Sequence, residues 1–319
     1  MNSKIRFGTT LLLFLLTATS CQTHKKYSDV VRETYIHQYG VPVIKSDWNA
    51  QGREGKIVKL KKNGVTLTQS YAKGILHGES TYTFPSSSVI QFIEIYDNGT
   101  LVAKRENFPS GIAMREEKFD QGILSEFNSW YEDGTPNTHE MYRGDSLVKG
   151  EYRTPMNVNE GQIQNGQGMR IRRSSHGELL SRDTIQNGKM VARMTYFSNG
   201  DPKTITPYSK GEIEGTRLTF LQGGVPNTSE QWVHGKKEGI TVIYRNGEKY
   251  AEVPYIGGSK NGIEARYTNG SILVEEITWK NNMRHGEHKF YIDGGTKIEW
   301  YNQGELVNWT GSHLLKESR

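Results

Sequence analysis

The sequence is short of cysteine, of proline and of apolar bulk. Its one cysteine, Cys21, excludes an internal disulfide and a thiolate zinc site. Scarce proline (9 residues) beside abundant glycine (35) fits a β protein with many turns. The apolar share, 34%, falls below that of an ordinary globular domain, yet aromatics reach 10%, which excludes a disordered chain. No charge of one sign dominates: 40 Lys and Arg stand against 35 Asp and Glu, a net +5 spread along the chain. Such a dispersed excess is a solvated surface, so no nucleic-acid partner is expected. Sustained helical spacing is missing as well, with one exception at 28–39. There Val31, Tyr35 and Tyr39 lie four apart and Ser28 or Asp29 can cap a short helix, a segment read as linker or cap.

The first twenty residues differ from the rest. Lys4 and Arg6 precede an apolar run, Phe7 to Leu16, that is too short to span a bilayer and has the flanks of a secretory signal. Ala18, Thr19 and Ser20 then lead directly into Cys21. This resembles a bacterial lipobox, with Ala18 where that family usually has Leu. The resemblance implies cleavage before Cys21 and lipidation of Cys21, which gives a lone exported cysteine its purpose. Several acyl chains make stable attachment, since each buried CH₂ contributes about 0.8 kcal/mol. By similarity to enterobacterial lipoproteins, Gln22 in place of Asp implies the outer rather than the inner membrane. The alternative is an ordinary signal peptide with a chance cysteine.

What the sequence has in plenty is self-similarity. Anchored on Gly55, Gly78, Val102, Glu126, Gly150, Gly168, Ala192, Gly215, Gly239, Gly262 and Gly286, it repeats every 23 or 24 residues, with one short step from Gly150 to Gly168. A second turn follows each anchor, often Asn-Gly or Asp-Gly (Asn63-Gly64, Asp133-Gly134, Asn199-Gly200, Asn246-Gly247), dipeptides that suit two-residue hairpin turns. One aromatic column comes after the anchor (Phe84, Tyr131, Phe220, Tyr244, Tyr267, Tyr291) and another before it (Trp48, Tyr71, Tyr208, Trp232, Tyr255, Trp279). A Lys-Gly-x-x-x-Gly element, as at 210–215, joins one unit to the next and reads as a glycine-rich turn. Each unit is thus a hairpin. The blander alternative is a β-meander or barrel with even strand spacing.

The stretches 210–224, 234–247, 260–270 and 285–294 resemble the MORN repeat in its bacterial variant, clearly from about Asn187 onward and degenerately between Gly134 and Gly177. The resemblance implies an all-β fold: one elongated, twisted antiparallel sheet of about eleven tandem hairpins, some twenty-two strands. Bacterial proteins of this kind are often regarded as antitoxins. The expected organisation is a signal peptide over 1–20, a lipidated cysteine with linker or cap over 21–47, and the repeat array over 48–319.

No residue set converges on chemistry. His77, His234 and His285 sit in turns, and His285 with His288 lacks the helical spacing of a zinc motif. The Gly-rich stretch 161–168 has no Lys-Ser/Thr ending, so it is no phosphate loop. Arg170, Arg172 and Arg173 form the sharpest basic cluster, and alternation puts Arg170 and Arg172 on one strand face. That face suits an acidic partner or lipid headgroup, or is merely solvated. Trp130, Trp300 and Trp309 lie outside the packed columns and join Arg170 and Arg172 as candidate contacts. The expectation is a non-catalytic, membrane-anchored interaction scaffold with no cofactor and no metal, binding a protein partner and open to self-association through its sheet edges. The rivals are a glycan- or lipid-headgroup-binding protein, an antitoxin- or immunity-like binder, and an enzyme of unrecognised type.

Overall fold

The computed structural model describes residues 29–313, with side chains described through 307. The lipobox segment and Cys21 lie outside these residues. The chain forms one open antiparallel sheet of 28 strands in hairpin order. From Gly55–Lys61 to Glu305–His313 the strands pair in sequence order, except that the short strands Glu212–Ile213, Lys236–Lys237 and Ser259–Lys260 each pair only with the strand before them. Among the described residues no second layer covers the sheet: the helices are Lys45–Ala50 and a single 3₁₀ turn at Gln222–Gly224.

The N-terminal edge corrects two expectations. The described part of that segment, 29–39, is not helical: Val30–His37 is a strand, aligned antiparallel to Gly55–Lys61. The sheet therefore begins at Val30, not at Trp48. Trp48 lies on the Lys45–Ala50 helix instead of in a strand column, and is buried. Its indole packs on Tyr35 (centroids 5.8 Å apart) and edge-on to Tyr71 (6.3 Å). Sheet pairing and this aromatic contact outweigh the weak four-residue spacing, as tertiary context commonly does.

The two rims of the sheet turn differently. Along one rim the chain reverses in two residues, both at positive φ, as at Asn187-Gly188, Lys210-Gly211 and His234-Gly235. On the other, Phe197 N–H donates to Asp201 O, Gly200 N–H donates to Phe197 O, and of Asn199 and Gly200 only the glycine has positive φ. That is a three-residue loop closed by a glycine bulge. Asn63-Gly64 and Asp133-Gly134 close the same way, so the two-residue reading is corrected there; Asn246-Gly247 and Asn269-Gly270 do have both residues at positive φ. The cause is the side chain. Asn63, Asp133 and Asn199 each accept the N–H two residues on (Val65, Thr135, Asp201), which holds the Asx residue in right-handed geometry.

The Lys-Gly-x-x-x-Gly element resolves into two features: a two-residue turn, then a kink inside the following strand. Tyr208 faces Ile213, but Ile205 faces Leu218, so two extra residues are inserted at Glu214 and Gly215. The kink splits Glu212–Ile213 from Gly215–Phe220, and likewise Lys236–Lys237 from Gly239–Arg245 and Ser259–Lys260 from Gly262–Thr268. These three splits and the two N-terminal strands account for most of the excess of 28 strands over the expected twenty-two or so.

The register also separates the aromatic columns. Trp232, Tyr255 and Trp279 share parity with Glu230, Val253 and Ile277 on one face, whereas Tyr244 and Tyr267 belong to the other. The first face carries the buried row. Across consecutive strands Thr241, Val253, Glu264, Ile277 and His288 face one another, each at most 3% exposed. Long neighbours fold over this row: Lys237 lies 5.1 Å from the Tyr255 ring centroid and Lys260 lies 4.4 Å from that of Trp279.

Candidate functional site

The degenerate segment of the repeat and the strand that follows it hold a cluster of mutually packed buried apolar residues: Leu147, Tyr152, Ile163, Ile171 and Ile185. Burying each isoleucine contributes about 1.5–3 kcal/mol. Here the sheet rolls. Arg170, on Gln167–Arg173, lies three strands from Pro136–Arg143, a distance of about 14 Å along a flat sheet. Yet its guanidinium grips Glu140 with both arms, Nε at 2.6 Å and Nη2 at 2.7 Å.

Two glycines permit that roll by lacking a side chain. Glu140 faces Gly150 across the register, and Tyr152 faces Gly161. A Cβ at Gly150 would stand 2.4 Å from the Tyr152 hydroxyl, and one at Gly161 would stand 2.7 Å from Ile171 Cγ1. Glu140 is 1% exposed and also accepts from Tyr152 Oη at 2.8 Å and from Tyr142 Oη. Burial, then Glu140, pushes both phenols above their ordinary range.

Beside this buried cluster opens a cleft of about 320 Å³. It lies between the strands Ala113–Asp120, Ile123–Trp130 and Pro136–Arg143 on one side and Gln167–Arg173 with Leu179–Gln186 on the other. Three sequence candidates, Trp130, Arg170 and Arg172, converge on it, although more than forty residues separate the first from the last. Met114, Phe127, Ile171 and Leu180 add an apolar lining.

The arginines are not equivalent. Arg115 bonds Glu106 (Nε at 2.8 Å), Arg170 bonds Glu140, and Arg173 holds Glu160 through two arms at 2.5 and 2.8 Å. Arg193, one strand beyond, holds buried Asp183 through two arms at 2.8 Å each. Each of these has its own carboxylate. Arg172 does not: its Nε lies 3.7 Å from Asp183, whose oxygens Arg193 already binds. Among the described residues its guanidinium makes no hydrogen bond. Burial and the neighbouring Arg170 charge push Arg172 below its ordinary value. Opposite it in the register sits Ser181, whose buried hydroxyl has no partner either.

The remaining candidates do not join the cleft. Trp300 is exposed on Gly295–Asn302, opposite Asn308 near the C-terminal edge. Trp309 lies in Glu305–His313 opposite Glu299, and its side chain falls outside the described set. His288 is buried and bonds Glu275 through Nε2 at 2.6 Å. No group of three or more His, Cys, Asp or Glu among the described residues is arranged to hold a metal. No described helix is long and apolar enough to cross a membrane. Sequence reasoning missed Glu140, Tyr152 and Asp183; a carboxylate that alternates with apolar residues inside an irregular repeat was the available signal.

No protein-family model matches the chain, and no curated protein matches it. Among solved structures, the chain is weakly similar to one of the TcdB2-TccC3 toxin complex (TM-score 0.22, 12% identity, covering 85% of this chain and 14% of that one). It is also weakly similar to a chain of the Photorhabdus luminescens Tc holotoxin pore (TM-score 0.19, 11% identity, covering 78% and 15%). The chain thus spans a small fraction of the length of those toxin chains.

Proposed function

We propose that this chain is a non-catalytic binding module, a MORN-like hairpin array held at a bacterial membrane by a lipid on Cys21, that engages a protein partner through its sheet. The observation that carries the reading is the cleft at Trp130 and Arg172. It gathers an aromatic, an apolar lining and a guanidinium with uncommitted donors, the side-chain types that dominate protein interfaces. Elsewhere on the same face the carboxylates are occupied: Glu230 by Arg217 and Lys237, Glu264 by Lys260 and Arg266. Groups held in pairs suit a rigid platform better than proton transfer.

The test is a crosslinked pull-down of the full-length protein from native membranes, read by mass spectrometry beside Cys21→Ala and Trp130→Ala. The reading expects a stoichiometric protein partner that Trp130→Ala loses, and a Cys21→Ala chain released from the membrane fraction. No partner with any form of the protein would sink it.

A further inference from the structure

The cleft's chemistry narrows what enters it. We infer that the cleft binds the free C-terminal carboxylate of a peptide chain together with its last apolar side chain. This deepens the binding-module reading and rests on it. Four arginines around the cleft are matched one to one with Glu106, Glu140, Glu160 and Asp183, which leaves Arg172 as the cation with no carboxylate of its own. A planar guanidinium with open donors is a fork for a two-oxygen anion. An entering carboxylate would also offset the repulsion between Arg172 and Arg170.

An apolar wall surrounds that fork. Met114, Phe127, Trp130 and Leu180 line the same cleft, so the anion must arrive with an apolar group attached close by. In a chain terminus the α-carboxylate sits one bond from the carbon that bears the side chain, and both fit one small space. An internal Asp or Glu brings its carboxylate on a bare stem, with main chain continuing in both directions, which needs an open groove. The volume, about 320 Å³, stands at the low end of the roughly 300–1,000 Å³ typical of ligand pockets and suits a terminal residue or two. Terminal carboxylate capture is a recognised peptide-binding mode.

The margin of the cleft is polar. Ser129, Asn137 and Thr138 line the cleft beside the apolar group and offer partners for the last peptide bond. Ser181, with its unpartnered hydroxyl, lies across the register from Arg172, where a second donor to the carboxylate is useful.

The test uses the acetylated tripeptide Ac-Gly-Gly-Leu as free acid and as C-terminal amide, titrated calorimetrically into the full chain and into Arg172→Gln. Melting temperature is recorded for both proteins, and Arg172→Gln should fold because it breaks none of the paired bonds. The expected result is binding of the free acid, with at least tenfold weakening for the amide and at least tenfold weakening for Arg172→Gln at unchanged melting temperature. Ac-Leu-Gly-Gly as free acid should also bind at least tenfold more weakly. The inference is overturned by equal binding of acid and amide, by indifference to Arg172→Gln, by no binding at millimolar peptide, or by equal binding of Ac-Glu-amide. A membrane partner still captured by Arg172→Gln would leave the binding-module reading standing while this inference fails.

Discussion

Two regions of the same sheet solve the problem of a missing second layer in different ways. From Gly215 to Asn302 the repeats are regular, and the buried row sets Glu230 and Glu264, clasped by Lys and Arg, among Thr241, Val253, Ile277 and His288. Each strand is stabilised mainly by its immediate neighbours, as in other linear repeat proteins. From Pro136 to Met190 the repeat is irregular and short, the strands roll, and residues three strands apart touch. Regular spacing yields a ladder, whereas breaking the spacing yields a core and, beside it, a cleft. The least repetitive stretch is therefore both the most tightly packed and the best equipped to bind.

The largest test of that contrast is deletion. Removing one regular unit, residues 239–261, should leave a folded protein with a modestly lower melting temperature. Removing residues 150–167 should abolish cooperative unfolding, as seen by circular dichroism and size-exclusion chromatography. If the second deletion folds as well as the first, the rolled region is no special core.

Charge removal comes next. Glu140→Ala strands half-buried Arg170 and two phenols, and should lower stability by about 3–5 kcal/mol in urea titration. Glu264→Ala should lose only about 1–3 kcal/mol, because Arg266 keeps Glu275. Gly150→Ala should lose about 1–3 kcal/mol by forcing the Tyr152 phenol aside.

The ladder should show itself in acid. Burial raises Glu230 and Glu264, but their Lys and Arg partners, joined by Trp232 at Glu230, more than offset it, so both lie below the ordinary carboxylate value of 4.5. A depressed carboxylate contributes stability that is full above its unfolded value and fades as pH falls through the folded one. Urea midpoints should therefore drop below about pH 4.5, and the Glu230→Gln, Glu264→Gln double variant should flatten that slope. The smallest effect is at a turn. Lys210 holds a left-handed conformation that Asn tolerates better, so Lys210→Asn should gain about 0.5 kcal/mol in thermal melts.

Much of the fold was legible because local chemistry repeats. The 23- or 24-residue period set the number of hairpins at about eleven. The helical reading of 28–39 failed because three residues spaced by four are weak beside a strand-long pairing and a Tyr35–Trp48 contact that spacing does not reveal. The Asn-Gly loops at 63 and 199 and the Asp-Gly loop at 133 were misread because the Asx side chain bonds its own backbone, a choice that lies below the dipeptide level. In the candidate site, Arg170 and Arg172 were visible as a cluster, but their difference was not: whether a guanidinium is satisfied depends on carboxylates many residues away.

The sequence by itself determined that this chain is a row of hairpins, since turn residues and alternating strands are local and recur in every unit. Only the tertiary structure decided which face is buried, where the row rolls, and that Trp130 and Arg172 share a cleft. Those outcomes depend on register and on Gly150 and Gly161 admitting a tyrosine and an isoleucine, contacts whose partners lie on different strands.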